Sequence, residues 1–140
     1  MVKVLVSACL LGKNCKYNGG NNLDENVIAF LQDKEVVPVC PEQGLGVPRI
    51  PMEIVNGILI NREGEVVDGT VRGAVEEIVR NLKDAPVDMA ILKSRSPTCG
   101  VRQVYDGTFT GKLIDGAGVL AQALQAAGIP TVDAEELEKI

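Results

Sequence analysis

The sequence predicts an α/β fold of the Rossmann-like type, in which a short, mostly parallel sheet has helices on both faces and a small β-hairpin lies outside it. Short apolar runs alternate with segments of helical spacing, and right-handed crossovers between such runs give a parallel sheet of about three or four strands. Aromatic residues make up 3% of the chain and Trp is absent, so aliphatic side chains must fill the core. We expect a single three-layer domain over residues 1–140.

The predicted strands of this sheet are apolar runs that end in loops rich in Gly, Asn or Pro. Residues 2–7 form a run that only Lys3 interrupts, and residues 35–39 and 87–92 form the next two. A shorter strand over 130–132 is expected at one edge.

Helices are predicted where apolar side chains recur at helical spacing and a capping residue precedes them. The predicted segments are 24–31, 70–83 with Thr70 as its cap, and 118–127. Asp133 is expected to cap a last helix, with Glu136 in the spacing of a capping box.

Two β excursions from the sheet are expected. Residues 54–67 hold two apolar runs around 61–64, where Gly64 supplies the positive φ that a hairpin turn needs. The long loop 93–116 leaves room for a second, smaller excursion.

Composition excludes several classes of function. The net charge of -5 disfavours nucleic acid as a partner, because phosphate binding requires clustered Lys and Arg. No apolar run is long enough to cross a bilayer and the N-terminus lacks the pattern of a signal peptide, so we expect a cytoplasmic protein with no membrane partner. The absence of His excludes Cys-His nucleophile pairs and mixed His/Cys zinc sites. Any metal must therefore be bound by thiolate or carboxylate.

Three of the four cysteines follow different predicted strands. Cys9 comes after the first strand, Cys40 ends the second, and Cys99 lies in the loop after the third. Loops at the carboxyl ends of parallel strands meet in one crevice where the strand order reverses, and the order 2-1-3 brings all three sulfurs to it. Small residues beside them would let backbone N–H groups approach an anionic cluster. The alternative is that these cysteines are buried as small hydrophobes and the glycines only make turns.

Six short motifs follow one another along the chain: SACLLG at 7–12, YNG at 17–19, PVCPE at 38–42, PR at 48–49, SPTCG at 96–100 and YDG at 105–107. In these motifs the chain resembles, over nearly its whole length, the small bacterial domain family that includes the 2-thiouracil desulfurases. The resemblance implies an oxygen-sensitive 4Fe-4S cluster held by Cys9, Cys40 and Cys99, with the fourth iron open. It thus describes the chain as a single desulfurase-like domain.

The resemblance also implies a reaction and the residues that perform it. The substrate would be a small thiolated molecule, a pyrimidine such as 2-thiouracil or a similar thioamide, whose soft sulfur the open iron binds. Glu42 would act as the base that activates water, and Ser96 would relay a proton. Asn18 and Arg49 are candidate substrate-binding residues, Arg49 for a carboxylate or phosphate group. We expect a monomer or weak homodimer.

Cys15 lies outside the family motif and leaves other interpretations open. It is expected to be a free thiol, but it could also cap the fourth iron or complete a four-thiolate zinc site with Cys9, Cys40 and Cys99. Structural zinc sites usually take their ligands in close pairs, and neither Cys40 nor Cys99 has a near partner in sequence. A third interpretation is a dithiol redox protein in which Cys9 and Cys15 are the attacking and resolving sulfurs.

Overall fold

The computed structural model describes residues 2–139, without the side chains of residues 138 and 139. Its strands are β1 (Lys3–Ser7), β2 (Glu35–Val39), β3 (Met52–Val55), β4 (Ile58–Asn61), β5 (Met89–Leu92), β6 (Gln103–Tyr105), β7 (Leu113–Asp115) and β8 (Thr131–Asp133). Its α-helices are α1 (Glu25–Phe30), α2 (Asp68–Asp84) and α3 (Val119–Ala126), and short 3-10 helices span Ala8–Leu11, Gln43–Leu45 and Ala134–Lys139. Within residues 2–139, no helix is both long and apolar enough to span a bilayer.

The main sheet has four strands in the order β2-β1-β5-β8, and every neighbouring pair is parallel. The predicted parallel sheet and the central position of the first strand are therefore confirmed. Because β2, β1 and β5 are neighbours and run parallel, the loops that follow these three strands leave the same edge of the sheet side by side. This edge carries Cys9, Cys40 and Cys99.

Helices cover both faces of the sheet, as predicted. Side chains alternate along a strand, so Leu5 points to one face of β1 while Val4 and Val6 point to the other. On the first face Leu5 packs with residues of α2 and α3: Val71, Val75, Leu120 and Leu124. On the second face Val4 and Val6 pack with Val27 and Leu31 of the α1 segment and with Ala134 and Leu137 near the C-terminus. These two aliphatic clusters hold the strand ends at fixed positions.

The hairpin overlaps the predicted segment but begins two residues before it, at Met52, and its predicted turn is wrong. β3 and β4 are joined at Asn56 and Gly57, whose φ values are 51° and 80°. Positive φ at both central residues matches the twist of the flanking strands, which is why Asn-Gly is favoured there. Gly64 also has a positive φ, of 84°, but it serves a second turn after which a single bridge pairs Ile60 with Val66. The second predicted excursion is the antiparallel pair β6–β7.

Two predicted helix ends also differ from the structure. α2 begins at Asp68, two residues before the expected cap, and the Asp68 carboxylate accepts a hydrogen bond from the Leu59 N–H at 2.9 Å. The last helix is a 3-10 helix, in which the Asp133 side chain accepts the Glu135 N–H at 2.9 Å as a cap should. Glu136 instead pairs with Arg102 at 2.8 Å, so the capping box is not formed.

Gly118 is expected to tolerate no side chain, because it begins α3 against the loop that carries Cys99. A Cβ there would stand 2.5 Å from the Thr98 carbonyl oxygen and 2.8 Å from the Cys99 nitrogen, and backbone cannot move aside cheaply. Gly118→Ala should lower the free energy of unfolding by about 3 kcal/mol or more. A Cβ on Gly73 in α2 would meet no atom within 4 Å, so Gly73→Ala should raise it by about 0.5–1 kcal/mol. Urea unfolding followed by circular dichroism tests both, and equal midpoints would contradict the expectation.

Candidate active site

A cavity of about 270 Å³ opens at the carboxyl edge of the sheet, between the loops that follow β1, β2 and β5. We call it the cysteine cavity, because all four cysteines line it: Cys9, Cys15, Cys40 and Cys99. Glu42, Ser96 and Arg49 line it as well. The structure therefore brings every sequence-predicted site residue to this cavity except Asn18, which is exposed and accepts the Gly20 N–H at 2.9 Å on its own side chain.

Short turns hold Cys9 and Cys40 at the ends of their strands. Cys9 lies in the 3-10 helix that follows β1, and its carbonyl accepts the Gly12 N–H at 3.2 Å and the Asn22 N–H at 3.0 Å. Gly12 takes a φ of 91°, which a residue with a side chain rarely adopts. Cys40 follows β2 directly, and its carbonyl accepts the Gln43 N–H at 3.1 Å. Both cysteines are only partly exposed.

Cys99 is the most deeply placed of the three ligand candidates, with 4% of its surface exposed. Its N–H donates to the Ser96 hydroxyl oxygen at 3.0 Å, which fixes the turn around it. Burial raises the pKa of the Cys99 thiol to about 12, although the hydroxyl groups of Ser7 and Thr98 near the sulfur oppose this. Burial likewise raises the pKa of Cys9, against the nearby Lys93 charge. Thiols in such surroundings lose their protons when a metal takes the proton's place.

The chemistry of these donors fits an iron-sulfur cluster. Thiolate is the ligand that holds such clusters, and three separate loops each bring one thiol to the same cavity. In the part of the chain that the structure describes, no three Cys, Asp or Glu side chains stand close enough together to share a single metal ion. The three thiols are the donor set that an iron-sulfur cluster requires.

Glu42 is held in the cysteine cavity by two donors, one from its own loop and one from the loop that carries Cys99. Thr98 Oγ1 donates to one carboxylate oxygen at 2.9 Å, and Arg49 Nε donates to the other at 3.3 Å. Arg49 also donates to the carbonyl oxygens of Gly46 at 3.1 Å and Cys15 at 2.9 Å. Each guanidinium nitrogen of Arg49 thus has a protein partner, so in this structure Arg49 orients Glu42 and ties the Cys15 loop to it.

Ser96, Thr98 and Glu42 form a continuous hydrogen-bonded chain. Ser96 Oγ lies 3.0 Å from Thr98 Oγ1 and accepts the N–H groups of Thr98 and Cys99. The single hydroxyl proton of Thr98 has three possible acceptors: the Glu42 carboxylate at 2.9 Å, the Ser96 oxygen at 3.0 Å and the Cys99 sulfur at 3.6 Å. The shorter, charge-assisted bond to the carboxylate wins. Ser96 is then the donor in its contact with Thr98, which leaves a proton path from Ser96 to Glu42.

Sequence reasoning missed three residues of the cysteine cavity: Ser7, Lys93 and Thr98. Lys93 directly follows β5, and its half-buried ammonium group donates to the Ser94 carbonyl and hydroxyl oxygens at 3.3 and 3.2 Å. Burial lowers the pKa of Lys93. Its position directly after a core strand could have predicted that it lines this cavity, because Cys9, Cys40 and Cys99 follow core strands as well. Nothing in the sequence sets Thr98 and Ser7 apart from other hydroxyl residues, because their roles depend on side-chain contacts in the folded chain.

A family model described as 2-thiouracil desulfurase matches residues 4–136. The chain belongs to the 2-thiouracil desulfurase family. The uncharacterized protein YbbK of Bacillus subtilis (strain 168) is 34% identical to this chain over an alignment of 149 positions. The alignment covers 98% of this chain and 99% of YbbK.

The fold of this chain also matches a solved structure. The 4Fe-4S-dependent thiouracil desulfidase TudS is 28% identical and superposes with a TM-score of 0.90, over 99% of this chain and 95% of that one. The resemblance drawn from the six sequence motifs is therefore confirmed at the level of family and of fold.

Proposed function

We propose that this chain is a 4Fe-4S-dependent desulfurase that converts the C=S group of a thiolated pyrimidine, such as 2-thiouracil, or of a similar thioamide into C=O. One observation carries the proposal: three thiols from three loops share a cavity with a carboxylate and a hydroxyl that are joined by hydrogen bonds. Membership in the 2-thiouracil desulfurase family and the likeness to TudS support the same reaction.

Cys9, Cys40 and Cys99 would hold the cluster through their sulfurs. When bound, the cluster supplies an iron with an open position, a soft Lewis acid suited to a thiocarbonyl sulfur. Lys93 adds a positive charge on the Cys9 side of the cavity, which favours the anionic form of thiolate ligands. The net reaction takes up one water and releases hydrogen sulfide, so it needs a base for the water and an acid for the leaving sulfur or ring nitrogen.

Glu42 would act as that base. Arg49 and Thr98 hold its two oxygens, and charge-assisted hydrogen bonds of this kind fix the carboxylate in one orientation toward the cavity. A water that attacks the thiocarbonyl carbon would pass its proton to a Glu42 oxygen.

Ser96 would deliver a proton. Once Glu42 has taken a proton from water, the hydrogen bonds of the chain can reverse, so that Glu42 donates to Thr98, Thr98 donates to Ser96 and the Ser96 proton passes to the product. The two proton transfers thereby balance, with the base resupplying the acid in each turnover.

The proposed function is tested on protein purified without oxygen and under reducing conditions. We expect brown protein with broad visible absorption, iron and acid-labile sulfide on analysis, and release of sulfide from 2-thiouracil with formation of uracil. Colourless protein that contains zinc would contradict it, as would a fully loaded cluster that releases no sulfide from any thioamide offered.

Thr98→Val is expected to reduce turnover while the cluster is retained. Valine keeps the shape of this 1% exposed residue but removes the hydroxyl that joins Ser96 to Glu42. A hydrogen bond to a charged group contributes about 1.5–3 kcal/mol, so kcat should fall about 10- to 100-fold. Thr98→Ser keeps the hydroxyl and should stay close to the wild-type rate per cluster. Equal losses in both variants would argue that Thr98 serves packing alone.

A further inference from the structure

Cys15 has no part in the proposed reaction, yet it lies in the cysteine cavity. It is 7% exposed, and Cys40 lines the same cavity. Burial, and after it the neighbouring Cys40, raises the pKa of the Cys15 thiol to about 12. Cys15 and Cys40 are therefore neighbours within this group of thiols.

The backbone around the two cysteines is fastened together. Arg49 donates through its side chain to the Cys15 carbonyl at 2.9 Å and through its N–H to the Tyr17 carbonyl at 2.7 Å. The same Arg49 pairs with Glu42, two residues after Cys40. The Cys15 loop is thus held against the Cys40 loop by contacts that do not involve sulfur, so the two thiols stay adjacent whether or not a cluster is bound.

We propose that Cys15 and Cys40 form a reversible disulfide when the cavity holds no cluster, and that this bond prevents cluster insertion until it is reduced. The proposal rests on the proposed function in one respect, namely that Cys40 is a cluster ligand. A Cys40 sulfur bonded to Cys15 cannot bind iron, and a cluster bound to Cys40 in turn protects that sulfur from oxidation.

A low-molecular-weight disulfide such as oxidised glutathione is a sufficient oxidant. Cys40 is the more exposed of the pair, so it attacks first, forming a mixed disulfide and releasing one glutathione thiol. Cys15 then attacks the Cys40 sulfur and releases the second glutathione. Two protein thiols are oxidised, one small disulfide is reduced, and the two protein protons leave with the glutathione thiols. Cys99 is buried behind Ser7 and Thr98 and does not compete.

Tryptic digestion makes the pairing directly readable. The four cysteines fall on four different tryptic peptides, spanning residues 4–13, 14–16, 35–49 and 96–102. The full chain is prepared without oxygen in two forms, cluster-loaded and cluster-free, exposed to oxidised glutathione, alkylated in acid and digested without reductant. Mass spectrometry should find peptide 14–16 joined to peptide 35–49 in the cluster-free form and not in the loaded form.

Two variants test the order of events. Cys9→Ser should still form the link between peptides 14–16 and 35–49. Cys15→Ser, which lacks the second thiol, should accumulate glutathione on peptide 35–49. A link that involves peptide 4–13 or 96–102 in the wild type, or a stable glutathione adduct without any link, would overturn the proposal.

Cluster uptake tests the consequence of the bond. Oxidised wild-type protein given ferrous iron and sulfide should stay colourless and turn brown after dithiothreitol is added. Equal uptake before and after reduction would refute the exclusion of the cluster. If reduced protein takes up no cluster at all, the proposed function fails, whereas the peptide map still decides whether Cys15 and Cys40 pair.

Discussion

Replacing Cys9, Cys40 or Cys99 singly by serine is expected to remove nearly all iron and the visible absorption, whereas Cys15→Ser is expected to keep both. A serine hydroxyl is a much poorer ligand for iron than a thiolate, and each of the three sulfurs comes from a different loop, so no neighbour replaces a lost one. Removal of a supporting hydrogen bond lowers metal affinity roughly 10- to 100-fold, and removal of a direct ligand should lower the affinity for the cluster by more than that.

The matched control is Cys15→Ser, because Cys15 lines the same cavity and is buried like Cys99. Iron and acid-labile sulfide per chain, measured on anaerobic protein, decide the assignment, and far-ultraviolet circular dichroism shows whether each variant is folded. Cluster retained at the wild-type level in all three ligand variants would refute it. Cluster lost only in Cys15→Ser would reassign the site.

Glu42→Gln is expected to keep the cluster and lose about 10²- to 10⁴-fold in kcat, the range for loss of a positioned acid or base. Glutamine has the size of glutamate and can still accept the Thr98 hydroxyl, but it has no charge with which to take a proton from water. The measurement is sulfide released from 2-thiouracil per cluster under reducing, anaerobic conditions. A wild-type rate in Glu42→Gln would remove Glu42 from the reaction.

Ser96→Ala is expected to show a similar loss, because it interrupts the proton path at its first member. It also removes the acceptor of the Thr98 and Cys99 N–H groups, so cluster content must be measured alongside the rate. Glu136→Gln serves as the control for both variants. Its carboxylate pairs with Arg102 away from the cysteine cavity, and an ion pair at the surface contributes at most about 1 kcal/mol to stability. Its rate per cluster should be unchanged.

The places where the sequence misled are those where two local signals compete. Both Asn56-Gly57 and the segment 61–64 can form a turn with positive φ, and the apolar runs around them fit either register. The choice depends on which register buries Met52 and Leu59 against α2, and that is a property of packing. Asp68 and Thr70 both favour the start of a helix, and the bond of Asp68 to Leu59, which exists only once β4 is in place, decides between them.

The architecture and the convergence of Cys9, Cys40 and Cys99 on one edge of the sheet could be predicted from the sequence. Apolar runs indicate the buried strands, and the right-handedness of crossovers leaves few ways to order them in the sheet. The loops after β1, β2 and β5 were therefore expected to share one edge. The contacts inside the cavity could not be predicted: Thr98 and Arg49 on Glu42, and Cys15 beside Cys40. Such contacts depend on loop paths and rotamers, which follow no period in the sequence and arise only when the core has fixed the ends of the strands.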